Sequence, residues 1–350
     1  MKGLNNLGNT CYLNFILQIL FNTPRFREVF NHYMITGNKD HPLYNTSKAF
    51  HNLMEVYVDP DVDKDILSKF LTLFVQIFHQ THNQFGFGQQ DGHEYLTFLM
   101  RAIHDSMYIK GDIVLNGTAT THIDNLERKA IEAHRIDGSS TTELMLNGKR
   151  SNDSTCYDSV IFQLFSGQYR FQTQCRNPKC EHVSNRFETF RCCEVPISNP
   201  DKSKVHLSDV LTQYTSVVEL DEKYECDKCK VRTNSYRRQT FWRLPEILVI
   251  SLKRGIHHFD RDNNRYIEIK DNREVKIPDK LNMSNYCSAP RTKNKYMLYA
   301  TGNHTGLTNG GHYYAHIKDS EGKWKIANDD NISDGSCPPE HICLLFYQLI

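Results

Sequence analysis

Cys11 stands where a thiol could attack. It closes the glycine- and asparagine-rich run Gly3-Leu4-Asn5-Asn6-Leu7-Gly8-Asn9-Thr10, and an apolar stretch with helical character, residues 15–21, follows it. A thiol at a helix N-terminus meets unpaired backbone N–H groups and the positive end of the helix dipole, and both favour the nucleophilic thiolate. Most lone cysteines are small buried hydrophobes, so the catalytic reading needs an imidazole elsewhere in the chain. Gly310-Gly311-His312-Tyr313-Tyr314-Ala315-His316-Ile317-Lys318 offers one on a segment with strand periodicity. With Tyr313, Ala315 and Ile317 facing a core, His312 points to the other face. Asp319-Ser320-Glu321-Gly322 is a turn signal, and the chain returns as Lys323-Trp324-Lys325-Ile326-Ala327 into Asn328-Asp329-Asp330. An antiparallel hairpin brings His312 level with Asn328, Asp329 or Asp330, and a one-residue slip decides which shares its face. An imidazole beside an amide or carboxylate is the oriented base that a cysteine nucleophile requires.

A second set of thiols has metal-ligand spacing. Cys175-x4-Cys180 and Cys226-x2-Cys229 are two hooks, each across a turn, that together match a closed tetrahedral zinc site of structural type. His182 is an alternative ligand to Cys180. Cys192 and Cys193 are adjacent and cannot form such a hook. With Cys156, Cys287, Cys337 and Cys343 they are read as ordinary cysteines. No Lys/Arg-rich face with interleaved aromatics accompanies the hooks, which argues against nucleic acid as a partner.

The elements that must position these groups divide the chain unevenly. Apolar residues recur at helical spacing at Phe50, Leu53, Met54 and Tyr57, at Leu67, Phe70, Leu71 and Phe74, and at Tyr95, Phe98, Leu99 and Ala102. Residues 1–108 therefore read as helical. Residues 109–156 are polar, with a short helical hint from Leu126 to His134, and read as a surface insertion or connection. From 157 onward aromatic and β-branched residues dominate, so the order is helices first and strands later, an α+β arrangement. A formal net charge of +1 gives bulk electrostatics no grip on nucleic acid or membrane. Eleven cysteines, an odd number in a chain too long to need staples, suit a reducing compartment, cytoplasmic or nuclear. Met1-Lys2 runs directly into the Cys11 loop, which leaves no room for a signal peptide, and no segment approaches the roughly 18 apolar residues of a membrane span.

Four ordered blocks carry a family resemblance. Gly3-Leu4, Asn6, Gly8-Asn9-Thr10-Cys11-Tyr12-Leu13-Asn14 and Leu17-Gln18 form the first, and Gln89-Gln90-Asp91-Gly92-His93-Glu94-Tyr95-Leu96 the second. Leu244-Pro245-Glu246-Ile247-Leu248 with Ile250 and Leu252-Lys253-Arg254 form the third. Gly311-His312-Tyr313, Ala315, Trp324 and Asn328-Asp329 form the fourth. The chain resembles the ubiquitin-specific proteases, deubiquitinating enzymes with a papain-like fold. The resemblance implies one catalytic domain over 1–350, with a helical thumb (1–108), zinc-bearing fingers (157–240) and a β-sheet palm (241–350). It implies hydrolysis of amide or isopeptide bonds after the C-terminal glycine of ubiquitin. Cys11 would attack, His312 would act as base and Asn328 would orient it. Asp329 would be accessory, and Asn6 with the Cys11 N–H would form the oxyanion hole.

Trp324 sets the family register. A five-residue loop, 319–323, puts Asn328 on the His312 face, whereas a four-residue loop would put Asp329 there. Asp91 and Glu94 have capping-box spacing before a helix; the resemblance has them face the arginines of the ubiquitin tail, with His304 in a loop that narrows its path. One structural zinc, no catalytic cofactor, ubiquitin and ubiquitinated proteins as partners, and a monomer complete the expectation. Gly255 and Ala327 stand where the family usually has aromatics, which predicts looser packing there. Competing readings are a catalytically weak ubiquitin-binding module and a papain-like protease for another ubiquitin-like modifier.

Overall fold

The computed structural model describes residues 1–36, 39–81, 88–112, 121–137, 155–197, 203–260, 265–290, 293–307, 310–335 and 340–350. Five helices form the N-terminal layer: α1 (Cys11–Phe21), α2 (Pro24–Thr36), α3 (Tyr44–Val58), α4 (Lys64–Thr81) and α5 (Gly92–Met107). The spacing analysis anticipates α1, α3, α4 and α5. It passes over α2, although Phe26, Val29, Phe30 and Tyr33 repeat at helical spacing and are all buried, and Pro24 opens it in the position where a missing N–H is harmless.

All eleven residues of α1 are buried. A helix apolar on nearly every side belongs inside a core rather than on it. Phe15 is its anchor: its ring stacks on Tyr313 with centroids 5.1 Å apart. A Cβ at Gly92 or Gly302 would come within 2.6 or 2.5 Å of that ring. These two glycines thus let α1, the start of α5 and the central sheet close around one side chain.

The central sheet has eight strands. In spatial order they are Asn331–Asp334, Trp324–Asn328, Gly310–Lys318, Lys295–Leu307, Ile342–Leu349, Ile247–Lys253 and Cys193–Pro196, with Lys280–Asn282 also paired to Lys295–Leu307. Only Cys193–Pro196 runs parallel to its neighbour. A separate four-stranded antiparallel sheet orders Val183–Phe190, Gly167–Cys175, Ser235–Arg243 and Val217–Glu219, and it carries the cysteine hooks. The α+β class holds, but helices also occur in the strand-rich half. Val160–Phe165 is capped by Ser159, whose Oγ accepts the Phe162 N–H at 3.1 Å, and Leu207–Tyr214 follows a short strand.

Within residues 109–156, the described parts form regular elements. Two short strands, Ile109–Asp112 and Thr155–Asp158, pair with each other. The helical hint becomes α6 (His122–Asp137), which starts on a reciprocal Thr121–Asp124 capping pair. It buries Leu126 and Ala130 against Phe187 and Trp242, and Glu127 accepts the Trp242 indole N–H at 3.0 Å and pairs with Arg243. Cys337 lies outside the described residues. Ala327 is wholly buried, directly opposite Ala315.

Candidate active site

The nucleophile loop is shaped by its own polar groups. Asn6 Oδ1 accepts the N–H groups of Gly8 and Thr10, each at 3.1 Å, and Thr10 Oγ1 accepts that of Leu7 at 2.9 Å. Gly8 and Asn9 turn through positive φ (91° and 58°), and the chain enters α1 at Cys11. The expectation of a thiolate favoured by the helix terminus needs correction. Cys11 is 5% exposed, and burial, the largest influence, raises its pKa above the ordinary 9.0. The Asp329 carboxylate pushes the same way, while the N–H groups of Tyr313, Tyr12 and Cys11 itself pull the other way. Burial outweighs the helix end, so the resting group is a thiol.

His312 arrives on Gly310–Lys318, whose pairing with Trp324–Asn328 aligns Lys318 with Trp324 and Ala315 with Ala327. The connecting loop is therefore 319–323, five residues long, and this register puts Asn328 on the His312 face. His312 Nε2 lies 2.6 Å from Asn328 Oδ1 and 3.9 Å from Asp329 Oδ2. Among the described residues no hydrogen bond joins Cys11 to His312; catalytic pairs are often loose before substrate engages them.

Asp329 does something the sequence reading did not anticipate. Its φ of 49° ends the strand and turns its carboxylate back toward the nucleophile loop. Oδ2 accepts from Asn6 Nδ2 at 2.9 Å, and Oδ1 from Asn14 Nδ2 at 2.8 Å. Its backbone carbonyl accepts from Leu4 N–H at 2.8 Å and Gln18 Nε2 at 2.9 Å. One residue thus joins the nucleophile loop, α1 and the histidine hairpin. Asn14 and Gln18 were quoted only as part of a motif. The signal for a positioning role was their polarity within an otherwise apolar helix, because buried amides require partners. Asn6 Nδ2 has a second hydrogen to offer an oxyanion.

A cleft of about 260 Å³ brings together Cys11, Gln89, Asp91, His304, Gly311 and Tyr313. Asp91 is the N-cap of α5, with Oδ1 accepting the Glu94 N–H at 2.8 Å, and its other oxygen accepts the Tyr313 hydroxyl at 3.4 Å. The reciprocal half of the expected capping box is not made: the exposed Glu94 carboxylate has no hydrogen bond or ion pair among the described residues. Gln89, unassigned by the sequence reading, pairs its amide with both backbone groups of Gly311, accepting at 3.1 Å and donating at 3.2 Å. His304 is 9% exposed, and its ring lies against that of Tyr313 at a tilt of 34° with centroids 4.4 Å apart. Its burial, reinforced by Lys270, pushes its pKa down to about 4, so it serves as a neutral wall.

The four hook cysteines converge. Their sulfurs all lie within 4.8 Å of one another, with Cys175–Cys229 at 3.9 Å and Cys180–Cys226 at 3.8 Å. A tetrahedron of Zn–S bonds near 2.3 Å sets its sulfurs about 3.8 Å apart, so the donor set fits. Each hook closes with a left-handed residue directly after its second cysteine, Glu181 (φ 45°) and Lys230 (φ 58°). His182 contributes its backbone, the carbonyl to the Cys175 N–H at 2.9 Å and the N–H to Cys180; its ring is not among the converging groups.

A thiol at a helix start, an imidazole on a hairpin with an amide partner, and a remote four-thiol knot are the arrangement of a papain-like fold. Residues 2–347 match the family described as ubiquitin carboxyl-terminal hydrolase, and the chain belongs to that family. It is 29% identical to ubiquitin carboxyl-terminal hydrolase 2 of Bos taurus, covering 100% of this chain and 55% of the relative. Against ubiquitin carboxyl-terminal hydrolase 21 of Homo sapiens the identity is 28%, over 99% of this chain and 61% of the relative. The chain thus spans somewhat over half the length of these curated relatives. A solved SAGA DUB module of Ubp8, Sgf11, Sus1 and Sgf73 bound to monoubiquitin shares the fold, with a TM-score of 0.74 at 23% identity over 100% of this chain and 69% of that one. The same module bound to ubiquitin aldehyde gives 0.73, with the same identity and 70% of that chain covered.

Proposed function

We propose that this chain is a cysteine-type deubiquitinase that hydrolyses amide or isopeptide bonds after the C-terminal glycine of ubiquitin. The observation that carries the reading is the 2.6 Å contact between His312 and Asn328 at the edge of the Cys11 cleft. Ubiquitin is favoured as the substrate because relatives and fold neighbours are named for acting on it or are bound to it.

In this reading the Cys11 sulfur attacks the scissile carbonyl as its proton passes to His312. The oxyanion is met by the Cys11 N–H and by the second N–H of Asn6 Nδ2. Collapse expels the amine, which takes the proton from His312 and leaves a thioester. Water, deprotonated by His312, then attacks that thioester and releases the carboxylate and the Cys11 thiol. Asn328 orients the imidazole, Asp329 aligns the loop that presents Asn6, and the free Glu94 carboxylate offers an ion-pair partner to a basic tail. Cys175, Cys180, Cys226 and Cys229 hold one zinc, which would close the far end of the four-stranded sheet and take no part in the reaction.

Ubiquitin with a thiol-reactive C-terminus is expected to label Cys11 alone, read by peptide mass spectrometry. Labelling of another cysteine, or none, would remove the assignment. Asn328→Ala should lower kcat on the order of 10²-fold, the typical effect of a misplaced catalytic group, whereas Asp329→Ala should also lower stability. If Asn328→Ala is nearly silent and Asp329→Ala is crippling, the two residues exchange roles.

A further inference from the structure

One wall of the Cys11 cleft is built on the paired ends of Lys295–Leu307 and Gly310–Lys318. Thr305 pairs with His312 and Gly306 with Gly311 across it. The wall is tight. Gly306 has φ 96°, a Cβ on it would come within 2.7 Å of Gly311 Cα, and a Cβ on Gly311 would collide with the Thr305 carbonyl and the His304 ring.

Among the described residues, the outer edge of this wall has no strand neighbour beyond Asn303. Ile342–Leu349 pairs with Lys295–Leu307 only as far as Asn303, and beyond that the His304 N–H bonds to the His341 carbonyl at 2.8 Å. Alternate carbonyls of a strand point to the same side, so those of His304 and Gly306 both face that edge. Lys270 occupies it. Its Nζ donates to the His304 carbonyl at 2.7 Å and to the Gly306 carbonyl at 3.1 Å, straddling the residue that pairs with His312.

Lys270 reaches there from a fixed foot. It ends the strand Arg265–Lys270, which pairs with Gly255–Asp260. At the base of that hairpin the Asp271 N–H bonds to the Arg254 carbonyl at 2.6 Å. The Arg254 side chain, 6% exposed, donates to the carbonyls of Ile342 (2.6 Å), Asp271 (2.7 Å) and Arg273 (3.0 Å). A buried guanidinium with three carbonyl partners makes the foot rigid, and the ammonium transfers that rigidity to the wall.

We propose that Lys270 is a positioning residue that holds the wall at His304, Gly306 and Gly311 against the Cys11 side, and thereby sets the preference for a substrate end without side chains. The proposal rests on the cleft being the site of the ubiquitin tail. His304, Gly310 and Gly311 line the cleft, so a wall held in place fixes the cleft's width, and a released one widens it for a substrate methyl group.

The test uses the full chain with Lys270→Met and Lys270→Arg. Hydrogen–deuterium exchange over 304–307 and 310–311 should quicken in Lys270→Met and return toward wild type in Lys270→Arg, whose guanidinium can still donate to both carbonyls. In parallel, kcat/KM is compared for a ubiquitin-amine substrate ending in Gly-Gly and for one whose penultimate glycine is alanine. The preference for Gly-Gly should fall tenfold or more in Lys270→Met, chiefly through KM, and recover in Lys270→Arg. Unchanged exchange would overturn the tether. Quickened exchange with an unchanged preference, or equal losses on both substrates, would overturn the specificity role. Wild-type protein that cleaves neither substrate would refute the deubiquitinase reading and the specificity role together, while the exchange result would still decide the tether.

Discussion

Cys11→Ala is expected to bring hydrolysis of a ubiquitin substrate to background, a fall on the order of 10⁶ in kcat, comparable to deletion of the nucleophile in other triad enzymes. The loss should be chemical and not structural. The side chain is small, and the loop around it is held by Asn6, Thr10 and Asp329 rather than by the sulfur. Circular dichroism and affinity for ubiquitin should therefore match wild type. The same residue yields a pH prediction with a definite sign. Burial raises the thiol pKa above 9.0, so the neutral form is favoured and the reactive thiolate gains population as pH rises. Alkylation of the free protein by iodoacetamide should be slow at pH 7 and climb close to tenfold per pH unit toward pH 9. A rate already at its plateau by pH 7 would mean a preformed thiolate, and the helix end would then outweigh burial after all.

The second large effect concerns the thiol knot. Binding of a structural zinc by cysteine ligands is worth roughly 10–16 kcal/mol in small zinc domains at neutral pH. Protein purified without chelator is expected to contain one zinc per chain by elemental analysis, and Cys226→Ser to contain much less. Stripping the metal should raise hydrogen exchange first in the hook ends, around Cys175 and Cys226. The Cys11 cleft, built on other elements, should lose order later. Native, active protein with no zinc would refute the assignment.

How much could be read beforehand follows from which signals are local. The parity of a hairpin depends on loop length and alternation, which left three residues open beside His312; the family register at Trp324 singled out Asn328, and the five-residue loop agrees with it. The hooks were legible for the same reason: two short spacings constrain four sulfurs once their strands pair. The ionisation of Cys11 was not legible, because a helix N-terminus is written in neighbouring residues while burial is imposed by distant ones. The part played by Asp329 was hidden too. A single left-handed residue redirects its carboxylate, and nothing in Asn-Asp-Asp says which of the three will turn. Phe15, threaded between Gly92 and Gly302, unites three segments remote in sequence, and no periodicity announces such a contact.

The bond between Asn6 and Asp329 spans 323 positions along the chain. During synthesis, then, Cys11 emerges well before His312, the base proposed for it. At 5–20 residues per second, the interval is on the order of tens of seconds. Throughout it, a nascent chain carries a cysteine with neither its base nor the residue that aligns its oxyanion donor. Competence must therefore wait until the returning hairpin docks on the Cys11 loop. A ribosome-stalled fragment ending before Gly310 should be inert toward ubiquitin however well its helical layer has folded.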